Sequence, residues 1–189
     1  IDSGVITLVD TGEADQAETA LLPYLRAKGI SKIDNVFISH PHTDHYGGLS
    51  VLSAAGFVIE RIYINRPGIE DWNYKNADFE SALNATGAEI IEVSTGDAFS
   101  VGESAMQIVY ALKAGDTGGS KVSVNDYSVV MRWDVKGWRM LFTGDLDETA
   151  GNKTRGMPGV RADVLKMPHH GVTSLAPDSF LDAVNPALA

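Results

Sequence analysis

Residues 36–48 read Val36-Phe37-Ile38-Ser39-His40-Pro41-His42-Thr43-Asp44-His45-Tyr46-Gly47-Gly48. A short β-branched and aromatic run hands over to three histidines and one aspartate within six positions, and a helical pattern follows. A strand end feeding a helix lets alternate side chains of the intervening loop point one way. Imidazole and carboxylate are the ligand types that suit Zn²⁺, Mn²⁺ or Fe²⁺. The spacing predicts that His40 and His42 grip one ion while Asp44 and His45 turn toward a second. Gly47-Gly48 lets the backbone pack closely beneath them. The competing reading, a polar surface loop rich in histidine, does not account for this density of ligand types.

Outward from this loop, strand-like runs alternate with helical patterns, which is the mark of an α/β chain. Residues 5–9 are rich in β-branched residues and end in Asp10-Thr11-Gly12, predicting a buried strand and a turn. Residues 15–28 put Ala17, Leu21, Leu22 and Leu25 on one helical face, with Gly29 as the stop. Strands are predicted at residues 57–64, 90–93 and 106–112, a helix at 76–85, and a loop at 115–121. Residues 127–133 and 138–142 flank Val135-Lys136-Gly137 as a hairpin. Residues 164–167 form the last strand, and 177–184 a short helix with proline early in it.

Two more strands deliver chemistry at their ends. Met140-Leu141-Phe142-Thr143-Gly144-Asp145 places a carboxylate where one side chain can bridge two divalent ions. Alone, Gly-Asp after a strand is an ordinary turn; beside the histidine loop we read Asp145 as a ligand. Lys166-Met167-Pro168-His169-His170-Gly171 brings two further histidines. One is expected to bind metal and the other to serve the substrate as a polar donor or acid. Adjacent residues on an extended chain face opposite ways, so the two roles stay unassigned between His169 and His170. Asn125 or Asp126 is a candidate for orienting ligands, against a plain turn before a strand. Thr173 and Ser174 are candidates for contacting a phosphate, against capping the next helix. Asp10 is read as a supporting residue behind the ligands, and Trp72, Trp133 and Trp138 as core or surface anchors.

The whole chain bounds these readings. Its 189 residues suffice for one domain. Apolar residues make up 44% and charged ones 21%, with no apolar run near the roughly 18 residues of a membrane span. No cysteine is present, which excludes thiolate ligands, cysteine nucleophiles and disulfides. The net charge of −10 and the lack of a Lys/Arg cluster weigh against tight, general DNA binding, since such affinity comes from neutralising phosphates. They leave phosphoester chemistry open. No basic start followed by an apolar stretch marks a leader, but the chain opens on Ile1, so a leader or upstream domain could have been removed.

At these motifs the chain resembles the metallo-β-lactamase superfamily, and more narrowly the ComEC-like hydrolase domain that ends a competence protein. The resemblance spans essentially all of residues 1–189 and rests on Asp10-Thr11-Gly12, residues 39–48, Asn125-Asp126-Tyr127-Ser128, Leu141 to Asp145 and Asp163 to Gly171, in order. It implies an α/β fold, an αββα sandwich of two mixed sheets flanked by helices, with metals at one edge of the sheets. It also implies one hydrolase domain trimmed at both ends, with a further ligand beyond Ala189. No histidine lies between His45 and His169, where many members carry one. That departure argues against a β-lactamase proper and suits the ComEC-like group.

The expected ligands are therefore His40, His42, Asp44, His45, Asp145, His169 and His170, around two divalent ions, Zn or Mn. Such ions acidify a water for attack near neutral pH, and Asp44, His169 and His170 are the expected catalytic groups. The expected activity is that of a phosphodiesterase or nuclease-like hydrolase. Two alternatives stand: an ester, lactone, amide or phosphorylcholine-esterase-like hydrolase of the same fold, or a non-catalytic metal-stabilised binding domain. The expected partner is a small-molecule or phosphodiester substrate, single-stranded DNA included. No membrane contact is expected from this domain itself, and an upstream domain or channel is allowed for.

Overall fold

The computed structural model describes residues 3–68, 72–116, 123–172 and 177–189. Two sheets pack face to face between helices. The first sheet has the order β1 (Thr7–Val9), β2 (Lys32–Phe37), β3 (Val58–Ile64), β4 (Glu89–Glu92). All its described pairings are parallel. A mixed sheet was expected here, but every connection is a helical crossover, and crossovers return the chain in the same direction. The first crossover is α1 (Ala14–Gln16), a π turn (Ala17–Leu21) and α2 (Leu22–Ala27), with Gly29 at φ 67 ending it. The second is α3 (Thr43–Tyr46) and α4 (Gly48–Ala54); the third is α5 (Trp72–Lys75) and α6 (Ala77–Thr86).

The second sheet is mixed, in the order β5 (Ala98–Val101), β6 (Ser104–Tyr110), β7 (Val130–Val135), β8 (Trp138–Phe142), β9 (Val164–Leu165). Its β7–β8 hairpin turns on Lys136 and Gly137, both at positive φ, as a two-residue loop between paired Val135 and Trp138 requires. The β8–β9 pair is parallel, crossed by α7 (Glu148–Thr154), and α8 (Asp178–Val184) follows. Pro177 caps α8 from outside, one position earlier than expected. Sequence periodicity misses β5 and α7. Four residues of alternating burial are too few to stand out in β5, and α7 is a polar stretch whose buried positions are Ala150, Gly151 and Thr154.

Period-2 alternation sorts the core. Phe37 and Tyr63 point between the sheets, stack at 4.2 Å between ring centroids, and share a cluster with Met106, Met131 and Phe99. Val36, Ile62 and Ile64 point the other way and share a cluster with Leu25, Leu49, Leu52 and Leu83 of the helices. β1 is an edge strand and only half-buried, where a buried strand was expected. No described helix is long and apolar enough to cross a membrane.

Because β1 and β2 are parallel, Asp10 and Ser39 leave the first sheet at the same edge. Because β8 and β9 are parallel, residues 143–145 and 166–170 leave the second sheet together. The two edges meet at Gly144, where a Cβ would lie 2.8 Å from the Ser39 Cβ and 2.8 Å from the Ser128 Oγ. A side chain at this position would push the sheets' edges apart. The Val129 N–H donates to the Ser39 carbonyl at 2.9 Å across the same seam.

Candidate metal centre

The loop after β2 is held from below. Gly48 packs so tightly that a Cβ would sit 2.4 Å from the Thr11 carbonyl oxygen and 2.8 Å from the Ala17 Cβ. Asp10 adopts a left-handed φ of 57, which aspartate tolerates better than most residues. One of its oxygens accepts the Ser39 N–H at 2.7 Å. The other accepts the Ser39 hydroxyl at 2.9 Å and the His45 Nδ1–H at 2.8 Å. This assigns the tautomers by the network. With Nδ1 of His45 donating to a carboxylate, Nε2 is left facing Asp44 (3.5 Å) and Asp145 (3.2 Å). With the Ser39 proton committed to Asp10, His40 Nδ1 donates to the Ser39 oxygen at 3.0 Å, and His40 Nε2 faces His42 Nδ1 at 2.8 Å.

Asp145 leaves β8 buried, with its N–H donating to the Ser128 hydroxyl at 3.0 Å. Its Oδ2 lies 3.2 Å from His170 Nε2 and 3.9 Å from His169 Nε2, and its Oδ1 lies 3.6 Å from the Lys166 ammonium. His170 Nε2 also reaches Asp44 Oδ2 at 3.1 Å. One ligand atom from each of Asp44, His45, Asp145 and His170 lies within 4.8 Å of the others. His169 and His170 do not sit on an extended chain, as the alternation argument assumed. Both adopt left-handed conformations in the turn Pro168–Gly171, at φ 48 and φ 55. That geometry separates them: His170 joins the four-residue group, while His169 Nδ1 lies 3.5 Å from the Asn125 side-chain amide.

Charge at the centre follows from this packing. Burial, and then the neighbouring His45, push the His40 imidazole down to about 2, so it stays neutral with its lone pair available. With no ion bound, burial opposes charge on His45 as well, but its contacts to Asp10 and Asp145 outweigh burial and raise it to about 9, so Nε2 carries a proton whose place an ion would take. Asp145 is buried too, yet His45 holds its carboxyl below the usual carboxylate range. A divalent ion fits these residues. His45 Nε2 and Asp145 Oδ1 approach to 3.2 Å without hydrogen-bond geometry, and both are buried with no hydrogen-bond partner. Buried polar atoms left in that state are costly unless something else satisfies them. A mixed imidazole and carboxylate set is the donor chemistry of Zn²⁺ and the other first-row divalent ions.

Each candidate can now be placed. His40, His42, Asp44, His45, Asp145 and His170 come together where the two sheet edges meet, with His169 Nε2 3.9 Å from Asp145 Oδ2. Asn125 reaches His169, but Asp126 turns away and accepts the N–H groups of Ala150 and Ser123. Thr173, Ser174 and residues 117–121 of the expected loop lie outside the described residues. Trp72 is buried and donates its ring N–H to Glu80, Trp133 donates to Ser104, and Trp138 is exposed. Sequence reasoning missed Ser39, Ser128 and Lys166. Ser39 was discoverable, since it directly precedes the first ligand and its hydroxyl lies within reach of two imidazoles.

A family description, the metallo-beta-lactamase superfamily, matches residues 2–187. ComE operon protein 3 of Bacillus subtilis is 27% identical over 177 residues, covering 91% of this chain and 21% of that protein. Competence protein ComA of Neisseria gonorrhoeae is 26% identical over 194 residues, covering 96% of this chain and 23% of that protein. The chain thus spans about a fifth of the length of these curated relatives. Among solved structures, the metallo-beta-lactamase fold protein YhfI from Bacillus subtilis superposes with a TM-score of 0.59 at 16% identity, covering 96% of this chain and 71% of that one. Members of this superfamily are generally metal-dependent hydrolases that bind zinc or iron. The chain belongs to the metallo-β-lactamase superfamily, and its competence-protein relatives are those of a ComEC-like subgroup.

Proposed function

We propose that this domain is a metal-dependent phosphodiesterase or nuclease-like hydrolase, with single-stranded DNA within its substrate range. The observation that carries the reading is the convergence of Asp44, His45, Asp145 and His170 around two buried, unsatisfied ligand atoms. Asp44, His45, Asp145 and His170 would hold one ion, and His40 and His42, sharing Asp145, a second, with Zn or Mn as the native metal. Ions held there would supply Lewis acidity and a water acidified enough to attack near neutral pH.

The chain's own residues do the rest. Asp10 and Ser39 fix the rings of His45 and His40 so that their outer nitrogens face the reacting centre. Asp44 is half-exposed beside His170 and takes the proton of the attacking water. His169, beside Asp145 and oriented by Asn125, gives a proton to the departing oxygen as the new phosphorus–oxygen bond replaces the old one. The competence role of the named relatives is what directs the reading toward a nucleic-acid phosphodiester.

Chelator-stripped protein should lose hydrolysis of bis-p-nitrophenyl phosphate and of single-stranded DNA, and regain it with added Zn²⁺ or Mn²⁺. His42→Ala and Asp145→Ala should each abolish turnover while the fold persists. Full activity in metal-free protein, or turnover of a carboxyl ester or lactone in place of the phosphodiester, would overturn the assignment.

A further inference from the structure

We propose that Lys166 binds the anionic group of the substrate at the metal centre, donating to a phosphate-type oxygen beside Asp145. This rests on the phosphodiester reading above and names a group that recognises its charge.

Lys166 is the first residue beyond β9, and its backbone is clamped on both sides. Its N–H donates to the Leu141 carbonyl at 2.9 Å, and its carbonyl accepts the Thr143 hydroxyl at 2.8 Å. The ammonium donates to the Gly144 carbonyl at 2.7 Å. It lies 3.6 Å from Asp145 Oδ1, beyond hydrogen-bond length. An ammonium carries three donors, and among the described residues Gly144 is the hydrogen-bond partner of one of them. The Lys166 side chain is 36% exposed, whereas that of Asp145 is 3% exposed. The lysine side chain is therefore partly reachable from solvent beside a buried carboxylate of the centre.

Charge elsewhere makes this position count. Every other described ion pair of a lysine or arginine lies away from the ligand group, on Asp34, Glu60, Glu80, Glu92, Asp134 or Asp163. The chain as a whole carries −10. A phosphate approaching so acidic a protein meets at the centre a lysine ammonium placed by strand geometry.

The test is binding of inorganic phosphate to the metal-loaded chain by calorimetry, with bound metal measured by elemental analysis in the same samples. Lys166→Gln should weaken phosphate about tenfold to a hundredfold, the scale of one lost hydrogen bond to a charged group, at unchanged metal content. Lys166→Arg should retain most of the affinity. In the unaltered protein, phosphate should protect Lys166 from acylation by an amine-modifying reagent, read by mass spectrometry. This second readout needs no variant to fold. Undiminished phosphate affinity in Lys166→Gln, loss of its metal, or no protection of Lys166 would each overturn the proposal. Binding is read separately from turnover, so an unaltered protein that binds phosphate through Lys166 but cleaves no phosphodiester would refute the activity and spare the residue's role.

Discussion

Asp10→Asn replaces one oxygen with an amide and otherwise preserves shape, which makes it a sharp probe of how the metal centre is built. Asp10 accepts three hydrogen bonds, from the Ser39 N–H, the Ser39 hydroxyl and His45 Nδ1. Asparagine tolerates the φ of 57 found there. Its remaining oxygen can keep the Ser39 N–H. Its NH₂ group then faces His45 Nδ1, which must become an acceptor and move its proton to Nε2. That is the atom aimed at Asp44 and Asp145, so the proton stands where an ion would bind. The fold should lose about 1–3 kcal/mol, the cost of weakening bonds to a charged group. Metal affinity should fall about 10–100-fold, the usual penalty for disturbing the partner of a ligating histidine. Asp10→Ala is less informative, because a left-handed alanine adds about 1–2 kcal/mol of backbone cost. Chelator competition gives the affinity and denaturant unfolding the stability. If Asp10→Asn bound metal within about twofold of the unaltered protein, well short of that range, the tautomer assignment would be refuted.

Further outcomes are expected. His170→Ala should lose bound metal, whereas His169→Ala should keep it and lower turnover about a hundredfold or more, as removal of a general acid does; equal metal content in both would break the separation of the pair. Gly48→Ala drives a Cβ to 2.4 Å from the Thr11 carbonyl and should lower stability by about 1–3 kcal/mol, read from urea midpoints. Glu80 accepts two bonds from Arg66 and one from the Trp72 ring, and chiefly the Arg66 bonds, working against burial, lower its carboxyl pKa. A lowered folded-state pKa contributes stability that is present above the ordinary carboxylate range and lost as pH falls through the lowered value. Glu80→Gln should accordingly cost about 1–2 kcal/mol near neutral pH, with the difference shrinking on acidification; a constant difference down to the acid limit would refute it.

How much of this was legible in the sequence depended on whether a residue's role was local. The candidate ligands at positions 40–45 are packed into one loop, and density of type alone singled them out. Asp145 was legible only through that loop, because Gly-Asp after a strand is otherwise a turn. The split between His169 and His170 was hidden, since it comes from two left-handed residues that no alternation rule describes. Asp10 was read as a supporting residue, yet its hold on Ser39 and His45 joins positions 29 and 35 apart in sequence. Lys166 passed unnoticed because its role depends on β8 and β9 lying parallel, so that residues 22 apart share one edge. Fold class followed from the alternation of strand and helix patterns, whereas the parallel first sheet required knowing how β1 to β4 pair.

The central claim is that side chains from three separate stretches of chain jointly hold divalent metal. Elemental analysis of the purified protein beside its Asp145→Ala variant, with folding verified for both, tests it most directly. Zinc, manganese or a similar ion should be retained by the unaltered chain and depleted in the variant. Finding no transition metal in the unaltered protein, or the same content in both, would contradict it.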